Sequence, residues 1–215
     1  MFFCRGTSEV NKYYVMLDGG FVRKRFKQFR KVAITPSNVV GFVNDLRSHE
    51  RLSGCELIRV FWYDAPPYQK TEINPISRES CDYGKSAHAV ESDKLLKGLE
   101  RQHDFAVRNG RLLFKGWRIG KAALKRLEQQ NQGSWQLDAR DLEPNLQQKA
   151  VDMRVGLDIA RISIRRTADV LVLVTGDSDF VPAMKLARTE GLRVYLHSMG
   201  LGLNPELLHH ADFVF

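Results

Sequence analysis

Four aspartates sit where their neighbours suggest chemistry: Asp18, Asp152, and the pair Asp177 and Asp179. Each carboxylate is a hard oxygen donor. Several brought to one spot repel one another and are costly to desolvate unless a cation neutralises them. Mg²⁺ or Mn²⁺ turns that fault into a ligand set, because hard cations prefer oxygen and keep waters on which chemistry can act. Asp64 joins the candidates, since it also closes an apolar run. Local roles compete. Asp18 before Gly19 and Gly20 could be a turn residue, Asp177 and Asp179 a helix cap and a first-turn acid, and Asp152 an exposed helix acid. Asp64 before Ala65-Pro66-Pro67 is ambiguous.

Elements far apart in sequence must position these acids. Residues 170–174 are five aliphatics bounded by Thr175-Gly176-Asp177, a strand buried on both faces as in the middle of a parallel sheet. Such sheets put ligands at the carboxyl ends of their strands. Residues 13–17 predict another strand, closed by Asp18 and a tight Gly19-Gly20 turn. Residues 56–63 predict a third, finishing at Asp64, residues 192–197 a fourth, and residues 213–215 an edge strand. Asp18, Asp64 and Asp177 then share one edge of the sheet. A helix from about Asn145 through Ala160, apolar at Val151, Val155, Ile159 and Ile162, brings Asp152 toward that edge. Asp158 lies six residues beyond Asp152, about 240° around the helix, which implies an indirect or structural role.

The remaining segments fill in the layers. Thr35 and Pro36 open a helix that runs to about Arg51. Residues 68–84 are polar and read as loop. A helix over 87–103 follows, then residues 105–114, where Asn109-Gly110 between apolar stretches predicts a β-hairpin. Further helices span 119–130, which is basic, and 181–190, and one is capped near Asn204-Pro205. Helices alternating with buried strands predict an α/β fold of three layers, α/β/α, around a mostly parallel sheet with right-handed crossovers. A single domain is expected over residues 1–215, with an insertion at about 104–145 carrying the hairpin and the basic helix.

Composition narrows the partners. A formal charge of +8 and a pI near 9.5 favour a polyanionic partner, of which nucleic acid is the commonest. Between Phe21 and Lys31 there are six basic residues and no acid. Between Lys97 and Arg126 nine basic residues face two acids. Either run could be a solvated helix face. The candidate nucleic-acid contacts are Arg23, Lys24, Arg25 and Lys27 in the first run, Arg108, Arg111, Lys115, Arg118 and Lys121 in the second, and Lys149. Phe105, Phe114 or Trp117 could stack an unpaired base, or simply pack. Cys4, Cys55 and Cys81 fit neither a disulfide framework nor a zinc site. No apolar stretch is long enough to span a bilayer, and the amino terminus lacks the pattern of a secretory leader, so a cytoplasmic protein with no membrane partner is expected. Homodimerisation stays open.

At these residues the chain resembles the NYN domain family, of the LabA-like type, within the PIN-like nuclease superfamily. The similarity is carried by Val15-Met16-Leu17-Asp18-Gly19-Gly20-Phe21, Tyr63-Asp64, Lys149-Ala150-Val151-Asp152, Thr175-Gly176-Asp177-Ser178-Asp179-Phe180 and the closing Ala211-Asp212-Phe213. It implies a PIN-like fold and metal-dependent cleavage of single-stranded or structured RNA, with Asp18, Asp152, Asp177 and Asp179 as catalytic, metal-holding acids. Products with 5′-phosphate and 3′-hydroxyl ends are implied, with Thr175 or Ser178 orienting a ligand water. Two positions depart from the family pattern. Residue 150 is Ala where glycine is common, and Gly20 stands where many relatives place Asn. A scaffold that binds RNA without cutting it is an alternative. A phosphatase of the haloacid dehalogenase type is a weaker one, because the second acid it needs two residues after Asp18 is Gly20.

Overall fold

Strands rich in β-branched and aromatic residues, unable to leave either face in water, set the centre of the molecule. The computed structural model describes residues 10–31, 34–129 and 134–215. Its strands are β1 (Lys12–Asp18), β2 (Glu56–Asp64), β3 (Thr71–Ile73), β4 (Ser80–Asp82), β5 (Phe105–Asn109), β6 (Arg111–Ile119), β7 (Leu142–Lys149), β8 (Val170–Val174), β9 (Arg193–His197) and β10 (Phe213–Val214). Its α-helices are α1 (Gly19–Arg25), α2 (Pro36–Arg47), α3 (Ala87–Glu100), α4 (Lys121–Glu128), α5 (Val151–Arg165), α6 (Val181–Thr189) and α7 (Pro205–His209).

Two compact units account for the chain. The first holds the residues up to Asp64, Leu95–Asn109 and Ala150–Phe215. Its six strands form one sheet, β10-β9-β8-β1-β2-β5, with every neighbouring pair parallel. β8 is buried at all five positions. One face of the sheet packs Val15, Leu17, Val60, Trp62, Val172 and Val174 against Val22 and Phe26, against Val39, Phe42 and Val43 of α2, and against Leu95 and Leu99 of α3. α5 and α6 pack on each other, α5 also against β2 and α6 against β9. This is the expected α/β architecture, and its strand order puts β1 and β8 side by side, so Asp18 and Asp177 close adjacent strands.

The second unit comprises Ala65–Lys94 and Gly110–Lys149. β3 and β4 pair antiparallel inside the segment expected to be loop. Their turn is built on buried Asn74, whose Oδ1 accepts from the backbone N–H of Ile76 and Ser77 and whose amide donates to the Ala139 carbonyl. β6 and β7 form an antiparallel ribbon, with α4 between them in sequence.

Several local expectations are corrected. Asn109-Gly110 is not a hairpin turn: β5 pairs in parallel with β2 at the edge of the main sheet, and β6 pairs with β7 instead. Phe105 consequently belongs to the core. Residues 145–149 extend β7 rather than opening a helix, because they pair with residues 111–114, and α5 begins only at Val151. Gly19 and Gly20 are the first turn of α1 rather than a tight turn. α2 ends at Arg47 and α3 at Glu100, both short of the expected limits. Among the described residues no helix is long and apolar enough to cross a membrane.

Candidate active site

Asp18 is the last residue of β1 and the N-cap of α1. Its Oδ1 accepts from the Phe21 backbone N–H at 3.1 Å, and its Oδ2 accepts from the Thr175 hydroxyl at 3.1 Å. Thr175, fully buried just beyond β8, also accepts from the Asp177 backbone N–H at 3.1 Å. One hydroxyl thus ties the end of β1 to the turn that carries Asp177. Its single hydroxyl proton goes to Asp18, and Ser178 beside it is half-buried.

Asp177 caps the short turn Ser178–Phe180, its Oδ1 accepting from the Asp179 backbone N–H at 3.0 Å. The carboxylates of Asp177 and Asp179 are otherwise exposed. Asp152 is exposed in the first turn of α5. Their charges act on one another in pairs. Burial raises the Asp18 carboxyl above the usual carboxylate range, and Asp177 and Asp152 push it further against the two hydrogen bonds that lower it. Partial desolvation raises the Asp152 carboxyl, and Asp177 and Asp179 raise it further. Among the described residues none of the four forms an ion pair with a Lys, Arg or His.

Gly19 and Gly176 are required for the close approach. A Cβ on Gly19 would lie 2.7 Å from the Tyr63 carbonyl oxygen and 2.9 Å from both Asp64 Cβ and Trp62, and one on Gly176 would lie 2.8 Å from the Phe21 ring. Sequence reasoning missed that Asp18 caps a helix, although a capping acid followed by good core spacing at Val22 and Phe26 was available as a signal.

The other candidates sort by their partners. Asp64 is buried and accepts from Arg23 Nε at 2.7 Å, so its charge is matched by an arginine beside the centre. Asp158 accepts from the Tyr63 hydroxyl and Arg108 Nε, both at 3.1 Å, and pairs with Arg161 at 3.4 Å, in keeping with a structural role. Burial of the Tyr63 ring, and after it the charge and hydrogen bond of Asp158, raise the phenol. Arg108 is held there and also lies over the Phe61 ring at 4.8 Å. Arg25 is a correction: it is only 4% exposed and donates to the Met199 carbonyl at 2.9 Å and to Gln28 at 3.1 Å, so it is a core arginine and not a nucleic-acid contact. Lys24 and Lys27 are exposed. In the second unit Arg111, Lys115, Lys121 and Lys149 are exposed, whereas Arg118 pairs with Glu143 at 3.3 Å and Phe114 packs edge-on against Trp117.

The donor set fits the chemistry of a hard divalent cation: all oxygen, mutually repelling, and unmatched by any cationic side chain among the described residues. No three His, Cys, Asp or Glu side chains among the described residues stand close enough to ligate one ion together. That spacing is compatible with Mg²⁺, which binds through one or two carboxylates and keeps several waters.

Comparison with known proteins agrees with this architecture. An uncharacterized protein of Methanocaldococcus jannaschii is 29% identical over 72 residues, which is 34% of this chain and 30% of that protein's length. The fold is similar to the crystal structure of a protein of unknown function from Vibrio parahaemolyticus, with a TM-score of 0.52 at 14% identity over 97% of this chain and 93% of that one. The profile of the NYN domain matches residues 79–215, a range that contains Asp152, Asp177 and Asp179 while Asp18 precedes it. The chain belongs to the NYN domain family, whose members are generally nucleases within the PIN-like superfamily.

Proposed function

We propose that the protein hydrolyses RNA phosphodiester bonds at the group formed by Asp18, Asp152, Asp177 and Asp179, leaving 5′-phosphate and 3′-hydroxyl ends. The observation that carries this is the mutual repulsion of acids delivered by three separate elements with no cationic side chain among the described residues to offset it. Natural chains keep such a costly arrangement at sites of function. Asp18 and Asp177, fixed by Thr175 and by backbone N–H groups, would hold Mg²⁺ or Mn²⁺, with Asp152 adding negative charge nearby. A divalent ion bound there supplies activation of water and stabilisation of charge on the leaving 3′ oxygen.

The side chains contribute the rest. Thr175 and the Phe21 N–H keep both Asp18 oxygens oriented, so little reorganisation is needed when negative charge develops. Asp152, with its carboxyl raised and its side chain exposed, is suited to accept the proton of the attacking water at a carboxylate oxygen. Asp179, whose backbone N–H is bound to Asp177, extends the acidic surface. Lys24 and Lys27 on α1 and its continuation offer positive charge for the phosphate backbone.

The test is purified protein on labelled RNA with Mg²⁺, Mn²⁺ or chelator, with product ends mapped by phosphatase and kinase treatment. Cleavage should stop in chelator, and Asp177→Asn should lower the rate at least 100-fold at unchanged stability. Equal cleavage by Asp177→Asn would remove the proposal.

A further inference from the structure

The β6–β7 ribbon has two chemically different faces. Residues directly opposite in an antiparallel pair lie on the same side, and sides alternate along each strand. The register Leu112↔Gln148, Phe114↔Leu146, Trp117↔Pro144 and Ile119↔Leu142 therefore collects Leu112, Phe114, Trp117, Ile119, Leu142 and Leu146 on one face. The Tyr68 ring packs on Phe114 on that side. The other face carries Arg111 opposite Lys149, Leu113 opposite Gln147, then Lys115 and Asn145 at the bulge, and Arg118 opposite Glu143. Its single acid, Glu143, is taken by Arg118.

Arg111 and Lys149 are the informative pair. Like charges directly opposite across a ladder destabilise it. Both are exposed, and neither has an acidic partner among the described residues. A ribbon selected only for folding would place an acid at one of these positions, as it does at Arg118 and Glu143. An anion held between the two removes the repulsion. The neutral amides of Gln147 and Asn145 add hydrogen-bonding groups to either side, and same-face residues recur about every 7 Å along a strand.

We propose that this face of β6–β7 binds a single strand of RNA, with Arg111 and Lys149 gripping one phosphate and Lys115 another, while Gln147 and Asn145 bond to sugar or base edges. The choice of RNA rests on the nuclease function proposed above. Two strands about 5 Å apart make a row of cations narrow enough to follow one phosphate backbone, whereas an A-form duplex offers two backbones across a wide groove. In sequence the pair stands two residues after Asn109 and three before Asp152.

The test measures fluorescence anisotropy of a labelled 20-nucleotide single-stranded RNA in chelator, so that binding is read without cleavage. Arg111→Glu with Lys149→Glu should weaken binding at least tenfold at 100 mM salt and lower the salt slope by about 0.7, since the pair grips one phosphate and each phosphate contact to a single strand contributes about 0.7. Arg111→Gln with Lys149→Gln should do the same more weakly. The single change Arg111→Glu gives a sharper split: it creates an opposite-charge pair with Lys149, so Tm should hold or rise while RNA binding falls. Wild-type affinity in the double variants overturns the inference. So does tenfold tighter binding of duplex RNA, equal competition by polyglutamate, or no RNA binding by the wild type. Hydrolysis of bis(p-nitrophenyl) phosphate with Mn²⁺ separates the two proposals. Variants that lose RNA binding should keep this small-diester activity. A wild type that binds RNA through the ribbon but cleaves nothing would sink the nuclease and leave the ribbon standing.

Discussion

His197, the last residue of β9, should make the fold acid-sensitive in a window set by its own titration. Its ring packs edge-on against Phe42 with centroids 4.9 Å apart and lies 5.5 Å from Phe215. Its Nδ1 accepts from the Met199 backbone N–H at 2.9 Å, which requires that nitrogen to be unprotonated. Burial above all, opposed by one backbone hydrogen bond and helped by His49, lowers the imidazole from its ordinary 6.5 to about 4. Between these two values the unfolded chain binds the proton and the folded chain does not, so stability rises with pH across the window. The neutral ring's contribution is whole above pH 6.5, falls by about 2 kcal/mol at pH 5, and is lost to about 3 kcal/mol just below pH 4. Urea midpoints of the wild type and His197→Gln at pH 7.5 and pH 5.0 isolate this from carboxylates that titrate in both proteins. The wild type should lose about 2 kcal/mol more than the variant. The ring also borders a cavity of about 430 Å³ that Arg25 and Asp45 line. A difference under about 0.5 kcal/mol would show that water in this space hydrates the imidazolium, and the burial argument would fail.

Three further outcomes follow from named geometry. Ala150 sits at φ +67° as the N-cap of α5, where an L-residue is strained by about 1 to 2 kcal/mol, so Ala150→Gly should raise stability by up to about 1 kcal/mol after the entropy of glycine is counted, read as a higher Tm. A lower Tm would mean that the Cβ makes a contact worth more than the strain. Gly19→Ala should cost about 1 to 3 kcal/mol by overpacking against Tyr63 and Trp62, and should lower RNA cleavage at least tenfold because Asp18 must shift with the start of α1. Full activity in that variant would show that Asp18 tolerates displacement. Asp158→Ala strands the Tyr63 hydroxyl and Arg108, and should cost about 2 kcal/mol, less than for a fully buried pair because Arg108 is partly exposed. Cleavage per folded molecule should be unchanged, and a large loss of rate in fully folded protein would place Asp158 in the chemistry.

Which features the sequence disclosed depends on whether they were local. The runs at β1, β2, β8 and β9 are apolar on both faces, and only a covered parallel sheet accepts that, so both the strands and the aspartates at their carboxyl ends could be read directly. β5 could not, because Asn109-Gly110 is a hairpin signal whose outcome depended on a competitor: pairing of Phe105–Asn109 with β2 uses backbone groups that a hairpin would have taken. Residues 145–149 include Gln147, Gln148 and Lys149, good helix formers, and only the ladder to Arg111–Phe114 makes them a strand. Arg25 illustrates a different limit. Counting charge placed it with Lys24 and Lys27, yet Val22, Arg25 and Phe26 share one face of a helix at i, i+3 and i+4, and that face is buried. Net charge sees an arginine; periodicity sees its direction. The same distinction separates Asp64 from Asp18, two acids that end neighbouring strands. Asp64 meets Arg23 and has its charge cancelled, while Asp18 meets Thr175 and the Phe21 N–H, groups that orient a carboxylate without neutralising it. The second kind of partnering leaves the carboxylate charge unmatched, and it is this difference, fixed by the fold, on which the proposed role of Asp18 rests.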